Sequence, residues 1–497
     1  MKSGRTQSQS KVQDPEKGTL ENDLVIQGIL SFRPDDPDNP VNWSRNKKAF
    51  IVIVGLVAVF NSVLDSSLPS GAIDYIAKDF NITNKVQLVL PISVYLIGYV
   101  LGPLLFGPLS ETYGRRMIMA GPFALFIIFT LACAVAPNWA SFVVFRFICG
   151  ICASSPIAVT GGLYADIYNN PVTRGRAMAL MMAVTTIGPQ FAPIISGFVS
   201  AVSWRWTFWV GLIIACVSFI PFFFLPETFG PVILQRRARA MRMAGEKNDV
   251  YAPIELEKKG PKEMLTIILA RPLIMLVFEP IVLFTCLYLS LASAIFFLFF
   301  EAYPLVFQGI YGMSIGISGL AFLPIAIGAC VGFAIFLYYD SVLRDAKNRN
   351  AHWSSTEEYR RLPLACLGGP AYVISLFWLG WTSSPGIHWI VPMLAGVPFG
   401  IGFFLIFVAL LNYLADAYKE FAASAMAAAS CSRSIFGAVL PLAATPMYNA
   451  LGIGWGNSLL AFLSLGMSLG SFVFLKYGDR VRANSKFCQE LAQRSGN

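Results

Sequence analysis

Twelve apolar segments, each long enough to cross a bilayer, dominate this sequence of 497 residues. A hydrocarbon core of about 30 Å needs about 20 consecutive apolar residues in a helix. Only 13% of the residues are charged, whereas a soluble domain carries roughly 25%. The pattern therefore predicts an all-α membrane protein with twelve transmembrane helices. They fall near 48–68, 88–109, 117–136, 140–162, 177–199, 207–225, 273–298, 315–339, 363–382, 389–411, 421–443 and 456–475.

Polar stretches divide these segments into two sets of six. Residues 1–46 are predicted to be a disordered N-terminal region without a cleaved signal peptide, and residues 227–270 a linker between the sets. The remaining boundaries are 47–226 for the first half, 271–478 for the second half and 479–497 for a tail.

Basic residues mark one side of the predicted bundle. Pairs such as Arg115–Arg116 and Arg174–Arg176 and the cluster at 236–242 fall on that side, while the opposite side shows few. By the positive-inside rule this side is cytoplasmic, and so are both termini. The net charge of +9 is then a topology signal and not a sign of nucleic-acid binding. The sequon at Asn81 falls in the first outside loop, where we expect a glycosylation site.

The sequence also contains an internal repeat. "LYADIY" at 163–168 is echoed by "YLADAY" at 413–418, and "SWRWTFW" at 203–209 is followed at nearly the same offset by "GWGNSLL" at 454–460. Parallel repeats of this kind predict two pseudo-symmetric six-helix halves with a substrate site between them near the midplane.

Several motifs, taken in order, resemble the major facilitator superfamily and its twelve-helix fungal drug:proton antiporters, including polyamine and multidrug exporters. They are "GPLSETYGRR" (107–116), "RFICGICASS" (146–155), "TIGPQFAPIISG" (186–197), "PETFGPVIL" (226–234) and "FEAYPLVF" (300–307). Glu111 stands where the family usually has Asp, and Ala192 and Ser196 where Gly is more usual. The resemblance implies a cytoplasmic gate made by Gly107, Glu111, Gly114, Arg115 and Arg116, in which this turn latches the halves together.

The fifth apolar segment contains four helix-breaking residues, Gly188, Pro189, Pro193 and Gly197. Glycines allow close helix contacts in membranes, and prolines bend helices whose neighbours satisfy the freed carbonyls. We expect a bent, tightly packed helix that seals one half against the other, as the resemblance to an antiporter motif implies. The alternative is a proline kink that merely fits the bundle.

Charged residues inside the segments are the candidates for proton coupling and substrate contact, because each is costly in hydrocarbon. Glu279 is expected to share a helical face with Cys286, Ser290 and Ser293. Structural alternatives are a snorkelling Arg146, a structural Glu279 and a hydrated Asp65. The candidates are Arg146, Glu279, Arg433 and Asp65, and we interpret Asp166 and Asp416 as gate or capping residues.

The sequence contains no motif for nucleotide binding, metal binding or hydrolysis. There is no phosphate-binding loop, no HExxH, no GxSxG elbow and no metal-ligand spacing, so we expect no ATP, cofactor, metal or enzymatic activity. The favoured function is proton-coupled efflux of small organic molecules, neutral or weakly acidic, by a plasma-membrane monomer whose partners are substrate, protons and lipid. Alternatives are an organic acid or polyamine exporter and a facilitative uptake carrier or nutrient sensor.

Overall fold

The structure is a computed structural model that describes residues 24–26, 29–245, 249–256, 270–351, 353, 356–418 and 421–483. Apart from one short hairpin of β1 (Leu24–Ile26) and β2 (Ile29–Ser31), regular structure in these residues is helical. Within these described ranges, eleven helical segments are long and apolar enough to cross a membrane. The last, Ala422–Gly478, holds two crossings, because Gly452 has φ +71° and leaves the helical conformation.

The first half contains six crossings. Its helices are α1 (Arg45–Ser67), the short α2 (Ile73–Asp79), α3 (Lys85–Tyr113), α4 (Arg115–Ala134), α5 (Trp139–Ile167), α6 (Pro171–Val199) and α7 (Trp204–Phe219).

The linker region follows with α8 (Gly230–Met243) and α9 (Pro253–Leu256). The second half then supplies the other six crossings. Its helices are α10 (Arg271–Phe278), α11 (Pro280–Tyr303), α12 (Ile315–Leu320), α13 (Leu323–Asn348), α14 (Glu357–Thr382), α15 (Ile390–Leu394), α16 (Gly396–Tyr418), α17 (Ala422–Val439) and α18 (Ala444–Ala483). Twelve crossings in two sets of six confirm the predicted all-α architecture.

Polar residues just before the apolar segments start several helices. The side chains of Ser44, Asn84, Asn138, Asn170 and Ser203 each accept a hydrogen bond from a backbone N–H in the first turn. Such caps satisfy donors that have no partner inside the helix. They fix where α1, α3, α5, α6 and α7 begin.

The sequence predicts one uninterrupted helix for the seventh apolar segment, but the structure has a break in it. The backbone of Glu279 is extended, with φ −104° and ψ 109°, and separates α10 from α11. The cause is Pro280, since a residue before proline is disfavoured in the helical region.

Residues 29–44 are packed against the protein, whereas the sequence predicts them to be part of a disordered N-terminal region. Leu30 is fully buried against Leu234, Ala238 and Met241 of the linker region. Arg237 of α8 donates to both carboxylate oxygens of Asp36, at 2.8 and 3.1 Å. This segment therefore joins the start of α1 to the linker helix, while residues 1–23 and the tail beyond Ala483 lie outside the described residues.

Each half has a hydrophobic core largely its own. One buried cluster gathers side chains from α1 to α7, and another gathers side chains mainly from α10 to α18. Large apolar side chains such as Phe224 and Trp455 are exposed on the outer surface, as expected where a helix bundle meets lipid. Two separately packed halves provide units that can move relative to each other.

Candidate functional site

A cavity lies at the boundary between the two halves. Its walls come from α1, α3, α5 and α6 of the first half and α11, α16 and α17 of the second. The space free of atoms, including the part open to solvent, is about 610 Å³. The lining is mostly aromatic, aliphatic and hydroxyl-bearing: Val63, Ser66, Leu96, Tyr99, Ile157, Met182, Thr185, Thr186, Pro189, Ser293, Phe296, Phe297, Phe403, Phe407, Arg433 and Ser434.

Arg433 is the charged residue of this lining. Its guanidinium donates to Ser430 Oγ at 3.4 Å and lies 5.9 Å from the centre of the Phe407 ring. None of the ion pairs among the described residues includes it. The structure therefore places Arg433 in the wall of the cavity.

Arg146 and Asp65 form a buried ion pair behind the cavity wall. Arg146 is fully buried and donates to Asp65 Oδ2 at 2.6 Å, to the Asp65 carbonyl at 2.8 Å and to the Pro91 carbonyl at 3.1 Å. The Tyr95 ring lies 4.4 Å from its guanidinium. The pair ties α5 to α1 and α3, and Asp65 directly precedes the lining residue Ser66. Arg146 is thus paired within the protein and does not snorkel to the membrane surface.

Glu279 does not line the cavity, so its predicted place on a polar helical face is wrong. It lies in the break before α11, is 2% exposed, and accepts a hydrogen bond from Tyr418 Oη at 2.9 Å. Because α11 begins after it, a helical spacing to Cys286 and Ser290 does not apply. Of that expected stripe, Ser293 lines the cavity.

Gly114 forms the tight turn between α3 and α4. This turn lies at the end of the bundle that carries Arg115, Arg176 and Arg361, which we call the basic end. Its φ of +99° suits glycine, and a Cβ there would meet Glu227 Oε2 at 2.3 Å. The Glu227 carboxylate accepts the backbone N–H groups of Arg115 and Arg116 at 2.8 and 3.3 Å. A buried carboxylate thereby caps the N-terminus of α4.

Ion pairs follow this turn. Arg115 Nε lies 3.1 Å from Asp166 Oδ2, and the gate or capping role of Asp166 stays a prediction. Glu111 is different: its side chain is 60% exposed and 3.9 Å from Arg115, so it is not the carboxylate that caps the helix. A Cβ on Gly107 would meet nothing within 4 Å, so close packing does not explain that glycine.

The second half repeats the ion pair. Arg361 Nε lies 2.8 Å from Asp416 Oδ2, at an offset of about 250 residues from Arg115 and Asp166. The pairs join α4 to α5 and α14 to α16. The repeat detected in the sequence is therefore present in the side-chain contacts.

The glycines of α6 contact two different partners. A Cβ on Gly188 would lie 2.4 Å from Val63 Cγ2, within the first half. A Cβ on Gly197 would lie 2.9 Å from the Ile315 carbonyl of the second half, and Gly319 packs against the Pro193 carbonyl. The two halves therefore pack closely at Pro193 and Gly197, whereas Gly188 packs within the first half. The helix runs unbroken through Pro189 and Pro193.

Comparison with known proteins decides the family. The model of the Major Facilitator Superfamily matches residues 55–441. The chain belongs to the Major Facilitator Superfamily. A solved superfamily structure, the proton:xylose symporter XylE bound to 6-bromo-6-deoxy-D-glucose, matches with a TM-score of 0.64, covers 87% of this chain and 97% of its own, and is 16% identical. That likeness supports the fold alone.

Fungal members of the superfamily are closer in sequence. The MFS transporter fsa7 of a Fusarium species is 41% identical over 94% of this chain and 92% of its own length. The citrinin biosynthesis cluster MFS transporter mrr1 of Monascus ruber is 38% identical, with 91% of each chain covered. An ascochitine biosynthesis cluster MFS transporter of Didymella fabae is 35% identical over 99% of this chain and 94% of its own. These relatives confirm the prediction of a transporter rather than an enzyme.

Some residues of this superfamily member had no predicted role. Glu227 lies within one of the motifs, but the N–H groups of Arg115 and Arg116 that it accepts lie more than a hundred residues earlier in the chain. Its position directly after Pro226, where the sixth segment ends, is the sequence signal that could have found it. Arg176 and Asp340, an ion pair between the halves, left no signal in sequence spacing.

Proposed function

We propose that this superfamily member exports small, largely apolar organic molecules by alternating access, in exchange for protons. The observation that carries the proposal is the cavity shared by both halves. Its walls combine aromatic rings with a few hydroxyls and one guanidinium, the composition expected of a site for a bulky organic compound. Separate cores in the two halves support rocking motions around it.

Fungal secondary metabolites are the proposed substrate class. Two relatives are named for biosynthesis clusters, those of citrinin and ascochitine. A producer of such a compound needs a route out of the cell, which favours export over uptake. Polyamines fit less well, because the described lining contains no carboxylate to receive them.

Proton coupling is assigned in this proposal to Asp65. Protonation would cancel its ion pair with Arg146, whose other contacts reach the carbonyls of Asp65, Ser66 and Pro91. A change in the charge of Asp65 would therefore alter the contacts that join α1, α3 and α5. Because Ser66 lines the cavity, the change would reach the substrate site directly.

The basic end is proposed to face the cytoplasm of a monomeric plasma-membrane protein that uses no ATP. Asn81 lies exposed in the loop after α2, at the opposite end of the bundle. If that end is outside, Asn81 can carry a glycan. A mobility shift that disappears on glycosidase treatment and in Asn81→Gln would support this orientation.

Accumulation in cells tests the function. Cells that express the chain are loaded with weakly acidic, neutral and polyamine compounds, and the retained amounts are compared with those in cells without it. We expect lower retention of one or more neutral or acidic compounds, and recovery when a protonophore collapses the gradient. Higher retention would indicate an uptake carrier, and export that ignores the protonophore would contradict proton coupling.

A further inference from the structure

We propose that the cavity selects organic anions, with Arg433 binding the acidic group of an otherwise aromatic substrate. The inference rests on the proposed export function and makes its substrate class specific.

Among the described residues, the charges around the cavity give Arg433 no counter-ion. Asp65 is held by Arg146 at 2.6 Å. Glu279 accepts a hydrogen bond from Tyr418, and Glu301 lies further along α11; neither is among the described lining residues. Among the described lining residues Arg433 is the single ionised side chain, so the wall is positive.

A guanidinium in this position favours an anionic ligand. Its one hydrogen bond among the described residues, to Ser430, is long, at 3.4 Å, so its other donors can serve a ligand in the cavity. A charged group in a largely apolar site is costly unless it is paired. A carboxylate or phenolate bound to Arg433 forms charge-assisted hydrogen bonds, which are stronger than those to a neutral acceptor.

The wall beside Arg433 is aromatic. The Phe403 and Phe407 rings are stacked with centroids 4.3 Å apart, and Phe296 stacks on Phe403 at 4.6 Å. The guanidinium approaches Phe407 at the end of this row. A planar ligand that places its acidic group on Arg433 can therefore lay its rings against the three phenylalanines.

Binding to the purified full-length protein tests this assignment with three probes of matched size: naphthoate, naphthamide and naphthylmethylammonium. We expect wild type to bind naphthoate about tenfold or more tighter than naphthamide, since hydrogen bonds between charged groups contribute more than neutral ones. Arg433→Gln should remove that preference while naphthamide binding changes little. Arg433→Lys should keep part of it, and Arg236→Gln, on the exposed face of α8, should keep all of it.

The outcomes separate this inference from the export function. If naphthamide or the ammonium probe binds as tightly as naphthoate, if no probe binds wild type, or if Arg433→Gln retains the preference, the anion site is wrong. Because Arg433→Gln can fail to fold, the ranking of the probes by wild type and the result for Arg433→Lys each test the anion site independently of that variant. Proton-driven export that prefers cations would overturn this inference alone, and anion binding without proton-driven export would overturn the proposed function alone.

Discussion

Arg176 of α6 and Asp340 of α13 form an ion pair across the boundary between the two halves. Both Nε and Nη2 of Arg176 lie 3.1 Å from Asp340 Oδ2. Arg344, one turn further along α13, donates to the same oxygen at 3.3 Å. When the halves separate at the basic end, Arg344 can keep Asp340 paired, which lowers the cost of breaking the contact.

Asp340→Asn should therefore loosen the basic end. A partly exposed ion pair contributes about 0.2–1 kcal/mol, so we expect an increase of about fivefold at most in the open population. The measurement is the rate at which a thiol reagent, added at the basic end, labels a cysteine placed at Thr185 in a background without other reactive cysteines.

Arg344→Gln is the matched control for this prediction, because it leaves the contact between the halves intact but removes the alternative partner. It should slow labelling. Faster labelling in Arg344→Gln, or no change in Asp340→Asn, would show that the pair does not hold this end closed.

The two glycine contacts of α6 should respond differently to compensation. Gly188→Ala places a Cβ against the Val63 side chain, and Gly197→Ala places one against backbone atoms of Ile315 and Gly316. Overpacking costs about 1–3 kcal/mol, so both variants should lose thermal stability or transport. Val63→Ala should rescue Gly188→Ala, whereas no side-chain truncation at 315 should rescue Gly197→Ala. Rescue of neither variant would remove the distinction between the two contacts.

At the turn after α3 we expect Glu227, and not Glu111, to be the sensitive carboxylate. Glu227→Ala leaves backbone donors of α4 and of residues 228 and 229 without their acceptor. Leaving a buried group unsatisfied costs about 1–3 kcal/mol, which should lower the melting temperature of the purified protein. Glu111→Gln changes an exposed side chain and should be nearly silent. Equal losses in both variants would contradict this assignment.

Helix positions could be predicted from the sequence because the length of an apolar segment is a local property. For Arg433 the sequence predicts only that protein or water surrounds it, because it is an ionised residue in the middle of a spanning helix.

Partners distant along the chain could not be predicted in this way. The helical periodicity of the sequence places Glu279 on a helical face. The backbone breaks at Glu279 because Pro280 follows it, and the Glu279 side chain contacts Tyr418 instead. Helical spacing also cannot tell that Gly188 faces α1 while Gly197 faces the second half. These contacts depend on how helices are arranged around one another.

Proton movement in proteoliposomes tests the central claim most directly. Purified protein is reconstituted with a pH-sensitive dye inside, and the compound whose retention in cells falls most is added, with protein-free vesicles as a control. Asp65→Asn keeps the shape of the side chain but cannot exchange the proton, so it should still bind the compound. We expect wild type to move protons against the compound and Asp65→Asn to move none; equal proton movement in both proteins, or none in a wild type that transports the compound, would contradict the account.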